Sequence, residues 1–505
     1  MADNFDVSEE FIVEFFFDNS MEDRRLELFN EIYGEGSSTT NRRVICRDRE
    51  AGFEITQKKD PELLQCFHLC KQQQAYSESE KSECRDMCKQ YIKEKQRRGS
   101  GCDTRLGEKE REGGENPYVF GEKHFSTVMK SEHGEIQMLQ KFNHTLLKGI
   151  ENFRLSVLVA NPRAFFLPGH WDAETVIFVA QGKGTISMVR SERRESLNVR
   201  CGDILRIPSG TTVYLINRDN NEKLVIVKLL QPVSTPGVVE TFFGVGKESF
   251  FKAFSGELLE AAFKTESSRV QKMFEGSGES IMEASEEQIR ALSDHEEAGI
   301  WPFSESKGTV NLFEQKLVKS NEYGELREVS PKGHRQLEDI DIGLAFINIT
   351  KGGMENPFFN SKSINIGVVR EGEGYFEMAC PHLSSDSSSG GTPISYRKVN
   401  AHLKRGSVHI VPPGHPLITV ASKDQNLELL VFQINARGNK RFPLAGKKNI
   451  WKQIEKEAKE LAFGLPSREV DDVVGKEDED WFMKGPSQIP QEKQAGGAYI
   501  RMKTE

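Results

Sequence analysis

Residues 178–184 read Phe-Val-Ala-Gln-Gly-Lys-Gly, and residues 368–374 read Val-Val-Arg-Glu-Gly-Glu-Gly. A second related pair follows. Gly202-Asp-Ile-Leu-Arg-Ile-Pro-Ser-Gly210 matches Gly406-Ser-Val-His-Ile-Val-Pro-Pro-Gly414. The offset is 190 residues at the first match and 204 at the second. One unit therefore occurs twice, and the second copy is lengthened by the Ser/Gly-rich stretch Leu383 to Ser395, which reads as a loop. Around the first copy, short apolar runs alternate with turn signals: Thr175 to Ala180, Thr185 to Val189, Val213 to Ile216 and Leu224 to Leu230. Leu427 to Ile434 supplies the late strand of the second copy. This spacing predicts an antiparallel sandwich or barrel in each copy.

Helix follows each copy. Ser249 to Phe263 places Phe250, Phe254 and Leu258 on one stripe. Ser285-Glu-Glu-Gln288 is a capping box that opens Ile289 to Leu292. Asn449 to Phe463 forms the later helix, with Asn449 as N-cap and Gly464 and Pro466 as stops. The fold class is mainly β, with two barrels that each carry a helical extension. Residues 1–115 form a charged N-terminal region, 116–300 the first barrel and extension, 301–490 the second, and 491–505 a flexible tail.

The chain of 505 residues has a formal net charge of -9, which argues against nonspecific nucleic-acid binding. The basic runs Lys93 to Arg98 and Arg190 to Arg194 read as solvated faces. No apolar run approaches the length of a membrane span, so no membrane partner is expected. Met1 to Asp23 is acidic and lacks the basic start of a secretory signal.

Six of the eight cysteines fall between Cys46 and Cys102. Cys66 and Cys70, and likewise Cys84 and Cys88, sit one helical turn apart on one face. Two antiparallel helices at about residues 60–95 would align them as Cys66–Cys88 and Cys70–Cys84, with Cys46 and Cys102 pairing outside the hairpin. A four-cysteine zinc site is the competing reading, because its spacers allow it. The lack of a glycine knuckle favours disulfides, which imply an oxidising compartment.

Two barrels, each with a Gly-x-Gly turn and a Gly-(five)-Pro-x-Gly turn, resemble the bicupins. Phe254-Ser-Gly-Glu-Leu-Leu-Glu-Ala-Ala-Phe263, Ala284 to Ser293, Trp301-Pro-Phe303 and Leu461 to Val470 are similar to the extension helices and second-half start of vicilin-type (7S) seed storage globulins. The cysteine hairpin resembles the α-hairpinin-like peptides of some vicilin precursors. The resemblance covers about Asn116 to Pro486. It implies jelly-roll-like cupin barrels, a homotrimer, a storage rather than enzymatic role, and deposition in the protein storage vacuole through the secretory pathway. It also implies degradation at germination.

A catalytic cupin would show His-x-His, then Glu, with a further His after Pro-x-Gly. In the first barrel only His170 fits. Asp172 replaces the second His, the Glu position falls at Val176 or Ile177 with Glu174 too early, and the last position is Val213. In the second barrel Asn360, Lys362, Ile364 and Leu417 occupy these places. Neither catalytic set survives, and no catalytic residue is assigned.

The second barrel offers another set. Alternation on Tyr375 to His382 puts Phe376, Met378, Cys380 and His382 on one face, and His415 sits at the turn Pro412 to Pro416. One thiolate and two imidazoles suit copper, with zinc as the alternative. The first barrel has Arg190, Glu192 and Thr211 at the matching offsets. Known copper binders among vicilin-type globulins strengthen this assignment. The sequence does not fix a fourth ligand; Tyr118, from an adjacent subunit's first strand, is a candidate, and His409 is an alternate third. The plainer alternative is a buried cysteine with turn histidines.

Asn143-His-Thr145 is a glycosylation sequon in a polar stretch, whereas Asn348-Ile-Thr350 lies in a strand-like run. The linker Arg97 to Arg111 invites processing proteases. Two rival functions remain on sequence grounds: a metal-dependent oxidoreductase using Cys380, and a small-ligand (sugar) binder using the barrel mouth.

Overall fold

The computed structural model of the chain describes residues 116–190, 193–276, 279–293, 308–381 and 396–486. The cysteine hairpin with Cys46, Cys66, Cys70, Cys84, Cys88 and Cys102 lies outside the described residues, as do Trp301-Pro-Phe303, His382, the insertion 383–395 and the tail 491–505.

A short strand, β1 (Val119–Phe120), opens the described chain. The main strands of the first barrel are β2 (Arg154–Ala160), β3 (Ala164–Trp171), β4 (Ala173–Gln181), β5 (Lys183–Arg190), β6 (Asp203–Ile207), β7 (Thr212–Asn217) and β8 (Leu224–Pro232). They form two antiparallel sheets, one containing β6-β4-β8-β2 and the other β3-β7-β5. The second half begins with β9 (Val310–Asn311). It continues through β10 (Ile342–Ile349), β11 (Ile364–Cys380), β12 (Val408–Val411), β13 (Leu417–Ala421) and β14 (Leu427–Ile434).

The Gly-x-Gly segments are corners between sheets rather than hairpin turns. In the first barrel β4 and β5 are separated by Gly182, at φ 82°, and they pair in different sheets. In the second, the 17-residue β11 runs without a break through Gly372, at φ 78°. Upstream of it β11 pairs with β12 and β14; downstream it pairs with β13. A Cβ at Gly372 would collide with the Asn426 carbonyl oxygen, so the corner needs glycine for space as well as for its left-handed backbone.

The two halves exchange their first strands. Val119 of β1 lies opposite His409 of β12 in the second barrel. Val310 of β9 lies opposite Ile204 of β6 in the first. Each half thus edges the other's barrel.

The barrels also share a core. Along β4 and β8, Ile177, Val179, Leu224 and Ile226 face the interior of the first barrel. The alternate residues, Val176, Phe178, Val227 and Leu229, belong to a cluster continuous with Leu344, Phe346 and Ile366 of the second barrel. Phe313 bridges the two, with ring centroids 5.9 Å from Phe178 and 4.8 Å from Phe346. Both faces of β4 are covered, which is why its sequence is a continuous apolar run and not an alternation.

The extensions differ from the single helices expected. Ser249 accepts the Phe251 amide and opens a 3-10 turn, Phe250–Ala253. Phe254 and Ser255 are extended, and α1 starts afresh at Gly256–Phe263, followed by α2 at Ser267–Glu275. The Ser285 capping box opens α3 (Glu286–Ser293). The Gln288 amide donates to Ser285 Oγ at 3.2 Å, and the Ser285 amide donates to Gln288 Oε1 at 2.9 Å. The second extension repeats the break, with Asn449 capping a 3-10 turn at Ile450–Gln453 ahead of α4 (Lys456–Phe463) and α5 (Ser467–Val474). Gly464 ends α4 at φ 62°.

Arg441 fastens this extension to its barrel. Its guanidinium lies 3.3 Å from the Phe358 ring centroid and 3.8 Å from that of Trp481, and it donates to Glu355 at 3.0 Å. Burial pushes its pKa down to about 10, with Glu355 acting the other way, so the guanidinium stays charged at neutral pH.

Gly372→Ala is expected to cost about 3 kcal/mol or more, because strain and collision add. Gly352 is also left-handed, at φ 72°, but its Cβ position is open. Gly352→Ala should lose only about 1 kcal/mol. Denaturant unfolding of both variants measures the difference.

Candidate functional site

The cupin ligand positions are occupied by side chains engaged in local contacts. His170 stacks on Phe242 at 5.0 Å and meets Phe250 edge-on at 6.0 Å. The Asp172 carboxylate accepts the Glu240 amide, and Glu174 accepts from Arg206 Nε and the Ser209 amide. Val176 lies in the inter-barrel core and Val213 in the interior of the first barrel. In the second barrel Asn360 accepts from Asn439, and Lys362 donates to the Arg437 carbonyl.

The second-barrel thiol set is partly gathered. Phe376, Met378 and Cys380 are buried on one face of β11, as alternation requires. The Tyr118 hydroxyl lies 3.5 Å from Cys380 Sγ, and its ring is 6.2 Å from that of His415. Tyr118 reaches this place within one chain, because β1 edges the second barrel. This corrects the expectation that an adjacent subunit would supply it. Burial, then the hydrogen bond to Cys380, pushes the phenol pKa well up. His415 is buried, and its Nδ1 lies 3.0 Å from the Pro413 carbonyl oxygen. A carbonyl only accepts, so Nδ1 carries the proton in this contact. His409 packs elsewhere: its ring covers Gly367 and lies 5.3 Å from Phe376, and burial pushes its pKa down to about 4. Among the described residues no three His, Cys, Asp or Glu side chains form a metal cluster, and His382 lies outside them.

Lys228 was not singled out by sequence reasoning. The signal was a lone lysine inside the apolar run Leu224 to Leu230. On β8 it pairs with Ile177 and shares that residue's inward face. The corresponding layer of the second barrel pairs Gly367 with Val431 and with His409. Each barrel therefore buries one basic residue at the same level. Lys228 is 9% exposed, with its ammonium 5.5 Å from the Trp171 ring centroid, and among the described residues no carboxylate lies within ion-pair distance.

Burial pushes the Lys228 pKa from 10.5 down to about 8. The unfolded chain therefore holds this proton more tightly than the folded one across that interval. The cost to stability is fully present below about pH 8 and fades as pH rises toward 10.5. Lys228→Met is expected to stabilise the fold by about 2–3 kcal/mol at neutral pH. Denaturant titrations across the alkaline range should show that gain shrinking.

Comparison with known proteins agrees with the fold and its repeat. The Cupin family matches residues 122–271 and 310–471. The chain is 50% identical over 449 residues to the vicilin Cor a 11.0101 of Corylus avellana, covering 87% of this chain and 98% of that protein. It is 48% identical over 476 residues to the vicilin Jug r 6.0101 of Juglans regia, covering 88% and 95%. The crystal structure of the Corylus avellana vicilin superimposes with a TM-score of 0.69 at 53% identity, covering 73% of this chain and all of that one. With the Cupin family matched once in each half and vicilins about 50% identical over nearly their whole length, the chain belongs to the vicilin family of two-cupin (7S) seed storage globulins.

Proposed function

We propose that the protein accumulates in seeds as a homotrimer without enzymatic activity, and is degraded for nitrogen at germination. It would reach the protein storage vacuole by the secretory pathway, where proteases cut first at the linker Arg97 to Arg111. The observation that carries the assembly is a pair of exposed apolar faces. In the first extension Phe254, Leu258 and Phe263 are exposed, Leu258 at 64%; in the second Leu461, Phe463, Leu465 and Val473 are exposed, Leu461 at 87%. Such faces seek burial. Two related but non-identical patches, one on each half, suit a head-to-tail contact that closes into a ring. Asn143 is exposed in a loop and suits glycosylation. The N-terminal hairpin would be stapled by Cys66–Cys88, Cys70–Cys84 and Cys46–Cys102.

The thiol site supports a bound copper, with zinc as the alternative, held by Cys380, His382 and His415 with Tyr118 beside the thiol. The buried thiol–phenol contact and the fixed His415 tautomer fit that donor set. Bound copper would supply a one-electron redox centre. The chain's own part is to keep the thiol buried, to hold the phenol against it, and to orient the His415 ring through its Nδ1 contact with the Pro413 carbonyl.

Light scattering should give a mass three times that of the chain. The double variant Leu258→Asp, Val473→Asp should give monomer, and a monomeric parent would refute the assembly. Elemental analysis after a copper challenge should give about one metal per subunit, lost in Cys380→Ala. Equal metal in both proteins would refute the site.

A further inference from the structure

The interface between the barrels is not filled along its whole length. Near Phe313 the two sheets meet through edge-to-face rings, but toward the glycine corners they diverge around a cavity of about 660 Å³. Its floor is apolar, from Phe125, Val157, Phe178, Val227, Val368 and Leu430. Clefts of this size at a domain boundary suit a small organic molecule.

The rim decides what kind. It carries cations from both halves, each already matched. Lys183 pairs with Asp219 at 3.1 Å, Arg370 with Glu428 at 3.1 Å, Arg405 with Glu371 at 3.8 Å, and Arg200 with Glu314. An ionic ligand would compete with these pairs, which a neutral one need not disturb. A neutral ligand would leave them intact and still find donors and acceptors for a hydroxyl. Cys201 stands in the same wall, partly exposed, with its thiol donating to the Ala180 carbonyl at 3.2 Å. We propose that this inter-barrel cavity binds an uncharged amphipathic molecule of the phenolic or terpenoid type, with its hydrocarbon body on the valine floor and its hydroxyl at the ion-paired rim. The site is separate from both barrel interiors and from the thiol site of the second barrel.

Titration of the full-length protein with the neutral fluorophore N-phenyl-1-naphthylamine should saturate near one per subunit at this site. Peptide mass spectrometry of Cys201 alkylation by iodoacetamide gives an independent reading on the unmutated protein. Saturating probe should slow that alkylation at least tenfold. The anionic 1-anilinonaphthalene-8-sulfonate should not. Val368→Phe should weaken probe binding tenfold or more. Probe binding that leaves the Cys201 rate unchanged would place the probe elsewhere and overturn the proposal. Absence of binding, or equal protection by the anionic dye, would overturn it as well.

Discussion

The structure depends on one packing constraint: β4 and β8 must be buried on both faces. Ile177 and Ile226 fill the first barrel, while Phe178 and Val227 reach across to the second. A sheet with one wet face tolerates polar residues on alternate positions. This one admits few, Lys228 among them, and its strands are otherwise nearly continuous in Val, Ile, Leu and Phe. Fully burying such side chains contributes about 1.5–3 kcal/mol each, so a shared face of this kind outweighs any single surface ion pair. The exchanged edge strands add backbone hydrogen bonds to the same junction, and they place Tyr118 inside the partner barrel.

A second consequence concerns chemistry. Once both barrels are filled, polar groups inside them must be paired or carry a cost. The first barrel closes its mouth by engaging the side chain at each ligand position locally. His170 joins an aromatic stack, Asp172 holds a backbone amide, and Glu174 holds Arg206. The second keeps a thiol, a phenol and an imidazole near one end. Lys228 and His409 are the residual basic groups, one per barrel at the same level, and both are driven toward neutrality by burial. A storage role demands compactness rather than a reactive site, and this interior serves compactness.

Much of this was legible in the sequence. The repeat at Gly182 and Gly372, the alternation that buries Cys380, and the Ser285 capping box follow from local rules with short reach. The exchange of β1 and β9 was not legible, because two-residue strands have no periodicity and their partners lie far away along the chain. For the same reason Tyr118 was assigned to an adjacent subunit. The breaks at Phe254 and Ser255 escaped because apolar spacing continues through them while the backbone turns extended. Lys228 was passed over because a single lysine in an apolar run carries no sign of which way it points. The inter-barrel cavity arises only from how two sheets diverge, which no strand encodes alone.

The most direct test of the shared core is hydrogen exchange read peptide by peptide under mild denaturant. If the two barrels are one cooperative unit, segments 173–181 of the first and 427–434 of the second will open with the same free energy and the same denaturant dependence. If one barrel exchanges fully while the other stays protected, the halves are independent domains, and the claim that their common face holds the molecule together is wrong.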